Sequence, residues 1–320
     1  MSIELSVVVP VYNEAESIGP LHAELDTVLG KMGREYEILF VDDGSSDGSD
    51  TLLAEIQERD PHVVLVRFAR NYGQTAALVA GFDHAAGAVV VTLDGDGQND
   101  PADIAAMLPR LEAGYDVVTG WRTPREDVWL SRQLPSNVAN WLIGWITGVR
   151  LHDYGCTLKV MRRDVVAGLR LYGEMHRFIP ALASDLGARI VEMPVHHRPR
   201  RAGVSKYGLS RSIRVILDLI TVKFLSSYST RPIQVFGVVG LLSTATGLAI
   251  TGILGFERIF LGIELANRPL VLLGILLTLM GFQFITMGLL GELLVRTYHE
   301  SQGKPVYRVA EVRRSSGLEP

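Results

Sequence analysis

The sequence predicts an α/β protein with a mostly parallel sheet, followed by an amphipathic segment and two apolar helices. Three observations carry that prediction. Short Val/Ile/Leu-rich runs alternate with stretches of helical apolar spacing through the first third of the chain. Three of these runs stop abruptly at polar clusters: Tyr12-Asn13-Glu14, Asp42-Asp43, and Asp94 with Asp96. Much later, Ile233–Phe256 and Leu270–Gly291 carry no charged side chain at all. The 320 residues are 48% hydrophobic with a net charge of −4, and the apolar excess is concentrated in the last third. No nucleic-acid partner is expected of so acidic a chain. A single cysteine, Cys156, excludes an intramolecular disulfide and suits a reducing compartment. Met1–Ser6 leads directly into a strand without a basic-then-apolar leader, so no signal peptide is expected.

Taken in order, Leu5–Val11 reads as a first buried strand. Ala15–Met32 is helical, with Ile18, Leu21, Leu25, Val28 and Leu29 on one face. Tyr36–Val41 is the second strand, and Asp47 is placed to cap the helix that runs through Ile56. Val63–Phe68 is the third strand, followed by Arg70-Asn71-Tyr72-Gly73 and a helix over Gln74–Ala86. Ala88–Leu93 is the fourth, Asp116–Gly120 another, and Thr157–Met161 a later one.

Parallel strands share their carboxyl ends, so the three polar clusters should meet along one edge, where such sheets bind ligands. In Asp94-Gly95-Asp96-Gly97-Gln98 two carboxylates stand one residue apart between glycines. Paired hard oxygens bind a divalent cation, and the cation in turn holds a diphosphate. The alternative is a plain turn in which aspartates cap the next helix. No G-x-G-x-x-G follows the first strand and no G-x-x-x-x-G-K-[ST] occurs, which argues against dinucleotide oxidoreductases and P-loop phosphotransferases.

Pro10-Val11-Tyr12-Asn13-Glu14, Asp42-Asp43-Gly44-Ser45 and Leu93-Asp94-Gly95-Asp96-Gly97-Gln98 resemble family 2 glycosyltransferases of the GT-A fold. Within that family the chain is similar to the polyprenyl-phosphate glycosyltransferases, over nearly its whole length. The resemblance implies that Pro10, Tyr12, Glu14 and Asp42 line a nucleotide-sugar pocket with Asp94. It implies that Asp94, Asp96 and Gln98 hold Mg²⁺ or Mn²⁺, with Asp96 counted among the catalytic residues. Gly95 and Gly97 stand where the family more often has Ala and Leu, but the ligand spacing is kept.

Arg122, Arg132 and Ser136 resemble the family's acceptor-phosphate contacts, and arginine suits planar phosphate recognition. Leu134–Val149 carries an apolar helical stripe with Trp141 and Trp145, either core or a helix at a membrane interface. In His152-Asp153-Tyr154-Gly155-Cys156 the resemblance makes Asp153 a candidate catalytic carboxylate; Cys156 reads as packed. From His196 to Arg214 there are six Lys/Arg and no acid. Arg200, Ser205 and Lys206 match a family loop that closes over the diphosphate. Arg198 and Arg201 are expected to face lipid headgroups, and His196-His197 lacks partners at zinc-site spacing.

Four segments are expected: a cytoplasmic glycosyltransferase domain 1–208, an amphipathic interface helix 209–231, a two-helix anchor 232–296, and a cytoplasmic tail 297–320. Each apolar run is long enough to span about 30 Å of hydrocarbon. Arg211, Arg214, Lys223, Arg231, Arg296 and Lys304 flank them, which puts both termini in the cytoplasm and the protein in the inner membrane. Gly237, Gly240, Gly247, Gly281 and Gly288 would allow close helix contact, including contact between protomers. Relatives include homotetramers.

The function the resemblance implies is inverting, metal-dependent transfer of a hexose from a nucleotide diphosphate-sugar, with UDP-glucose the representative donor, to undecaprenyl phosphate. The lipid-linked sugar would then serve cell-envelope glycan modification. A processive polysaccharide synthase is the rival enzyme, but a Q-x-x-R-W motif is missing. A non-catalytic scaffold binding nucleotide-sugar or lipid is the rival of another class.

Overall fold

The alternation of strands and helices builds one eight-stranded sheet in the order β7-β5-β6-β4-β1-β2-β3-β8. The structure is a computed structural model that describes residues 3–123, 140, 143–145, 147–171, 175–199, 232–262, 269–301 and 307–315. The strands are β1 (Leu5–Val11), β2 (Tyr36–Asp42), β3 (Val63–Phe68), β4 (Val89–Thr92), β5 (Val117–Arg122), β6 (Lys159–Arg162), β7 (Ile190–Val195) and β8 (Val309–Arg313). Between them run α1 (Ala15–Lys31), α2 (Ser49–Arg59), α3 (Gln74–His84), α4 (Asp103–Glu112), α5 (Arg163–Gly168) and α6 (Ile179–Asp185). A 3-10 turn, Met175–Phe178, precedes α6.

β1 pairs in parallel with β2 and β4, and β2 with β3. Consecutive Val7, Val8 and Val9 are wholly buried, because helices cover both faces of a parallel sheet. β6 inserts antiparallel between β4 and β5, so β5 again runs parallel to β4. The sheet therefore presents one edge made of the carboxyl ends of β1 to β5 and the start of β6.

Three features depart from the sequence-based expectations. The residue before α2 is Gly48, not Asp47. The Asp47 carboxylate instead accepts from the Ser49 and Ala15 amides, bracing two helix starts at once. β7 and the segment carrying α5 and α6 lack a periodic signal long enough to read. The third departure is the tail. Residues 309–313 return to the sheet as β8, antiparallel to β3, so 305–320 groups with Met1–Val222 in one compact unit.

The second unit, Lys223–Lys304, holds α7 (Pro232–Phe260) and α8 (Pro269–Ser301). Phe236–Phe260 and Pro269–Gly291 are long and apolar enough to cross a membrane, with mean hydropathies of 1.8 and 2.2. The two helices touch through small residues. A Cβ on Gly240 would lie 2.7 Å from the Gly281 carbonyl oxygen, and one on Gly247 would lie 2.6 Å from that of Gly274. Thr251 and Thr278 return their hydroxyls to the Gly247 and Gly274 carbonyls in their own helices. Gly240, Gly247 and Gly281 are thus used inside the hairpin, where contact between protomers was also considered. The amphipathic stretch 209–231 lies outside the described residues.

Candidate active site

The carboxyl edge of the sheet encloses a cavity of about 390 Å³. The loops after four parallel strands line it: Pro10, Tyr12 and Glu14 after β1, Asp43 after β2, Asn71 and Gly73 after β3, and Asp94 to Asn99 after β4. Arg122 ends β5, and Thr157 and Lys159 open β6 at the same edge.

The loops hold one another. Asn13 takes a left-handed φ of 55°, tolerable for Asn, and its side chain accepts the Ser46 amide at 2.8 Å. Gly44, at φ +71°, has the Arg70 backbone 2.6 Å from where a Cβ would sit, so only glycine fits. Asp42, expected on the pocket wall, is wholly buried as the last residue of β2, and its Oδ1 accepts the Ser45 amide. Asp43 takes the wall position instead, because side chains alternate along the strand and its neighbour faces the other way. Burial raises the Asp43 pKa, although the Tyr72 and Gly73 amides both donate to it.

Asp94 and Asp96 stand together on the same wall. Asp94 keeps partial access to the cleft, yet burial, then the Asp96 charge, push its carboxyl up to about 7. Gln74 donates to its Oδ1 at 2.7 Å. Asp96 is 6% exposed and accepts the Gln98 amide. Gln98 lines the cavity as well. Two crowded carboxylates and an amide oxygen, sharing a wall that disfavours negative charge, make a donor set suited to a hard divalent cation.

Arg122 reaches the cavity, but its partner is Asp153. Nε donates to Oδ2 at 2.7 Å and Nη2 to Oδ1 at 2.9 Å. Asp153 is only 1% exposed. Both oxygens of Asp153, the candidate catalytic carboxylate, are thus engaged by the guanidinium, and the pair holds Arg122 at the cleft. The expectation for Arg198 is corrected. It bridges Glu24 at 2.6 Å and Asp100 at 2.7 Å, and its amide donates to the Gln98 carbonyl, so it fastens the Asp94–Asp100 loop. His196 pairs with Asp103 at 2.8 Å. Arg125, Arg132, Ser136, Arg200, Arg201, Ser205 and Lys206 lie outside the described residues. Cys156 is fully buried, and burial lifts its thiol to about 11, so it is packed and unreactive.

The lining residues that sequence reasoning missed include Lys159, His176 and Arg177. Lys159 is 3% exposed, and its Nζ donates to the Cys156 carbonyl. A lone lysine in the apolar run Thr157–Met161 was the signal available for it. His176 is buried against Thr75 Oγ1 at 2.7 Å, and burial holds its pKa down at about 3, leaving the ring neutral.

The model of the family described as "Glycosyl transferase family 2" matches residues 6–169. Dodecaprenyl-phosphate galacturonate synthase of Rhizobium johnstonii is 44% identical over 315 residues, covering 97% of this chain and 93% of the relative. Among solved structures, glucosyl-3-phosphoglycerate synthase from Mycobacterium tuberculosis, in complex with Mn²⁺ and UDP-glucose, aligns with a TM-score of 0.54 at 16% identity. That alignment covers 70% of this chain and 79% of that one. Mannosyl-3-phosphoglycerate synthase from Rubrobacter xylanophilus aligns at 0.53 with 15% identity, covering 69% and 74%. At such identities the likeness speaks to fold alone, and the fold is GT-A.

Proposed function

The chain belongs to glycosyltransferase family 2, and from that premise we propose that it moves a sugar from a nucleoside diphosphate-sugar onto a polyprenyl phosphate at the cytoplasmic membrane. The observation that carries this reading is one cavity holding both Asp94/Asp96 and Arg122, in a chain that also bears two membrane-length helices. Of the UDP-hexose donors expected from sequence, we favour the C6-oxidised kind, a UDP-hexuronate, because the 44%-identical relative is named for galacturonate.

The chemistry asks little of a base. The polyprenyl phosphate is an anion at neutral pH, and one of its oxygens attacks the anomeric carbon in line. The bond to the donor diphosphate breaks and UDP leaves, which inverts the configuration. Arg122, braced by Asp153, holds the acceptor phosphate against that carbon and supplies positive charge. The family resemblance assigns Arg132, Ser136 and Ser205 to the acceptor phosphate and Arg200 and Lys206 to the donor diphosphate. Tyr12, Glu14 and Asp43 bound the nucleoside end, and Gln74 fixes the Asp94 carboxylate. Asp94, Asp96 and Gln98 would hold Mg²⁺ or Mn²⁺, which stabilises charge on the leaving diphosphate.

β8 supports the membrane arrangement. It pairs with β3 in the unit that also contains Met1–Val222, which agrees with two crossings that leave and return to one compartment. The flanking Lys/Arg put that compartment in the cytoplasm. The test is a membrane-fraction assay with Mn²⁺, undecaprenyl phosphate and a panel of labelled UDP-hexoses and UDP-hexuronates. Chelator-sensitive label in the organic phase with a single donor is the expected result. No lipid-linked label from folded protein with any donor overturns the proposal.

A further inference from the structure

The segment returning from α8 does more than extend the sheet. The Tyr307 ring stacks on Phe68, with centroids 5.1 Å apart at 20°, and its hydroxyl donates to Asp83 Oδ2 at 2.7 Å. Phe68, at the end of β3, meets Tyr72 edge-on at 5.6 Å. The Arg70 guanidinium lies 4.6 Å from the centre of the Tyr72 ring. The Tyr72 and Gly73 amides then donate to Asp43, at 2.6 and 2.9 Å. Asp43 and Gly73 line the cavity. One residue beyond Tyr307, the Arg308 carbonyl accepts the Ala69 amide at 3.3 Å, so the segment grips the root of the same loop by its backbone.

We infer that Tyr307 is a positioning residue for the nucleoside end of the cleft, acting through Phe68 and Tyr72 on Asp43. The relay is short and specific in direction. A stacked ring and an edge-on ring leave Phe68 little freedom to tilt, and Phe68 is 2% exposed. The Tyr72 backbone is thereby fixed, with its amide and that of Gly73 turned toward one carboxylate. With the ring at 307 removed, Phe68 loses the cover on one face, and the side-chain support of the 69–73 loop from that side is lost while its backbone tie to Arg308 remains. The inference rests on the reading of this cleft as the donor site.

The experiment compares full-length wild type, Tyr307→Ala and Tyr307→Phe in the same detergent, with donor and acceptor varied separately. Tyr307→Ala is expected to raise the donor KM about three- to tenfold, with kcat within about twofold and the acceptor KM unchanged. Tyr307→Phe keeps the stack and should stay near wild type. Amide hydrogen exchange supplies a readout independent of turnover: in Tyr307→Ala the Tyr72 and Gly73 amides lose protection while those of Val7–Val9 keep theirs. An unchanged donor KM with unchanged Tyr72 and Gly73 protection overturns the inference, as does a uniform loss of protection across the sheet, which marks general destabilisation. Wild type that turns over no donor overturns the assignment of the cleft instead, and the exchange pattern then decides the link from Tyr307 to Asp43 by itself.

Discussion

The sheet and the helical hairpin use the same residues inside out. In the sheet, Val7 to Val9 and Leu39 are sealed from solvent. In the hairpin, Leu241 and Leu272 are 66% and 74% exposed, while glycines and threonines fill the contact between the helices. Each half suits a different solvent. In water, apolar burial drives packing. In a bilayer the outer leucines are already at home, so close approach of backbones has to supply the contact. Polar chemistry follows the same division, because the carboxylates and arginines collect at the one sheet edge where water, nucleotide and lipid phosphate could meet.

The largest way to break that contrast is at the polar edge. Asp96→Asn should cut turnover on the order of 10²–10³-fold, with unchanged circular dichroism, if the carboxylate acts on charge and not on folding. Next comes the ion pair behind the edge. Asp153→Ala removes the nearly buried carboxylate that pairs with Arg122 and should cost about 3 kcal/mol of stability and raise the acceptor KM. Loss of kcat alone, at full stability, would mark Asp153 as a base. The packing contrast itself is read from a pair of truncations followed by thermal unfolding in detergent. Leu39→Ala should cost about 2–5 kcal/mol, and Leu272→Ala less than about 0.5 kcal/mol.

The smallest effect is on pH. The Asp94 pKa is raised to about 7, so its protonated form is favoured in the fold, and ionising it weakens the metal-free protein as pH rises toward 7. A cation must displace that proton, so the Mn²⁺ concentration for half-maximal activity should fall about tenfold from pH 6 to pH 8 and then level off. A half-saturation point flat across that range would refute the coupling.

Short-range patterning explains what could be read beforehand. β1 to β4 are nearly continuous apolar runs, α1 shows Ile18, Leu21 and Leu25 at helical spacing, and the hairpin is uncharged over most of its length. Tyr12, Glu14, Asp94 and Asp96 were legible because loops at the ends of parallel strands must converge, whereas Gln98 and Arg122, which line the same cavity, came from the family resemblance. What escaped depends on partners far along the chain. The tie between Asp153 and Arg122, 31 residues away, has no local signature. Asp42 and Asp43 differ only in which way the strand turns each side chain. β8 reads Val-Ala-Glu-Val-Arg, half exposed and charged, and becomes a strand only because β3 offers an open edge. His176 and Arg177 enter the site on a 3-10 turn with no periodicity to announce it.

That open edge has a consequence for biosynthesis. β3 is translated early, whereas its outer neighbour emerges only after both apolar helices have been made. Throughout that interval the growing polypeptide carries an exposed β3 edge, the kind of surface on which nascent chains aggregate. The sheet is therefore completed only after the ribosome has finished the hairpin. A delay in making the hairpin should be felt as a misfolded sheet.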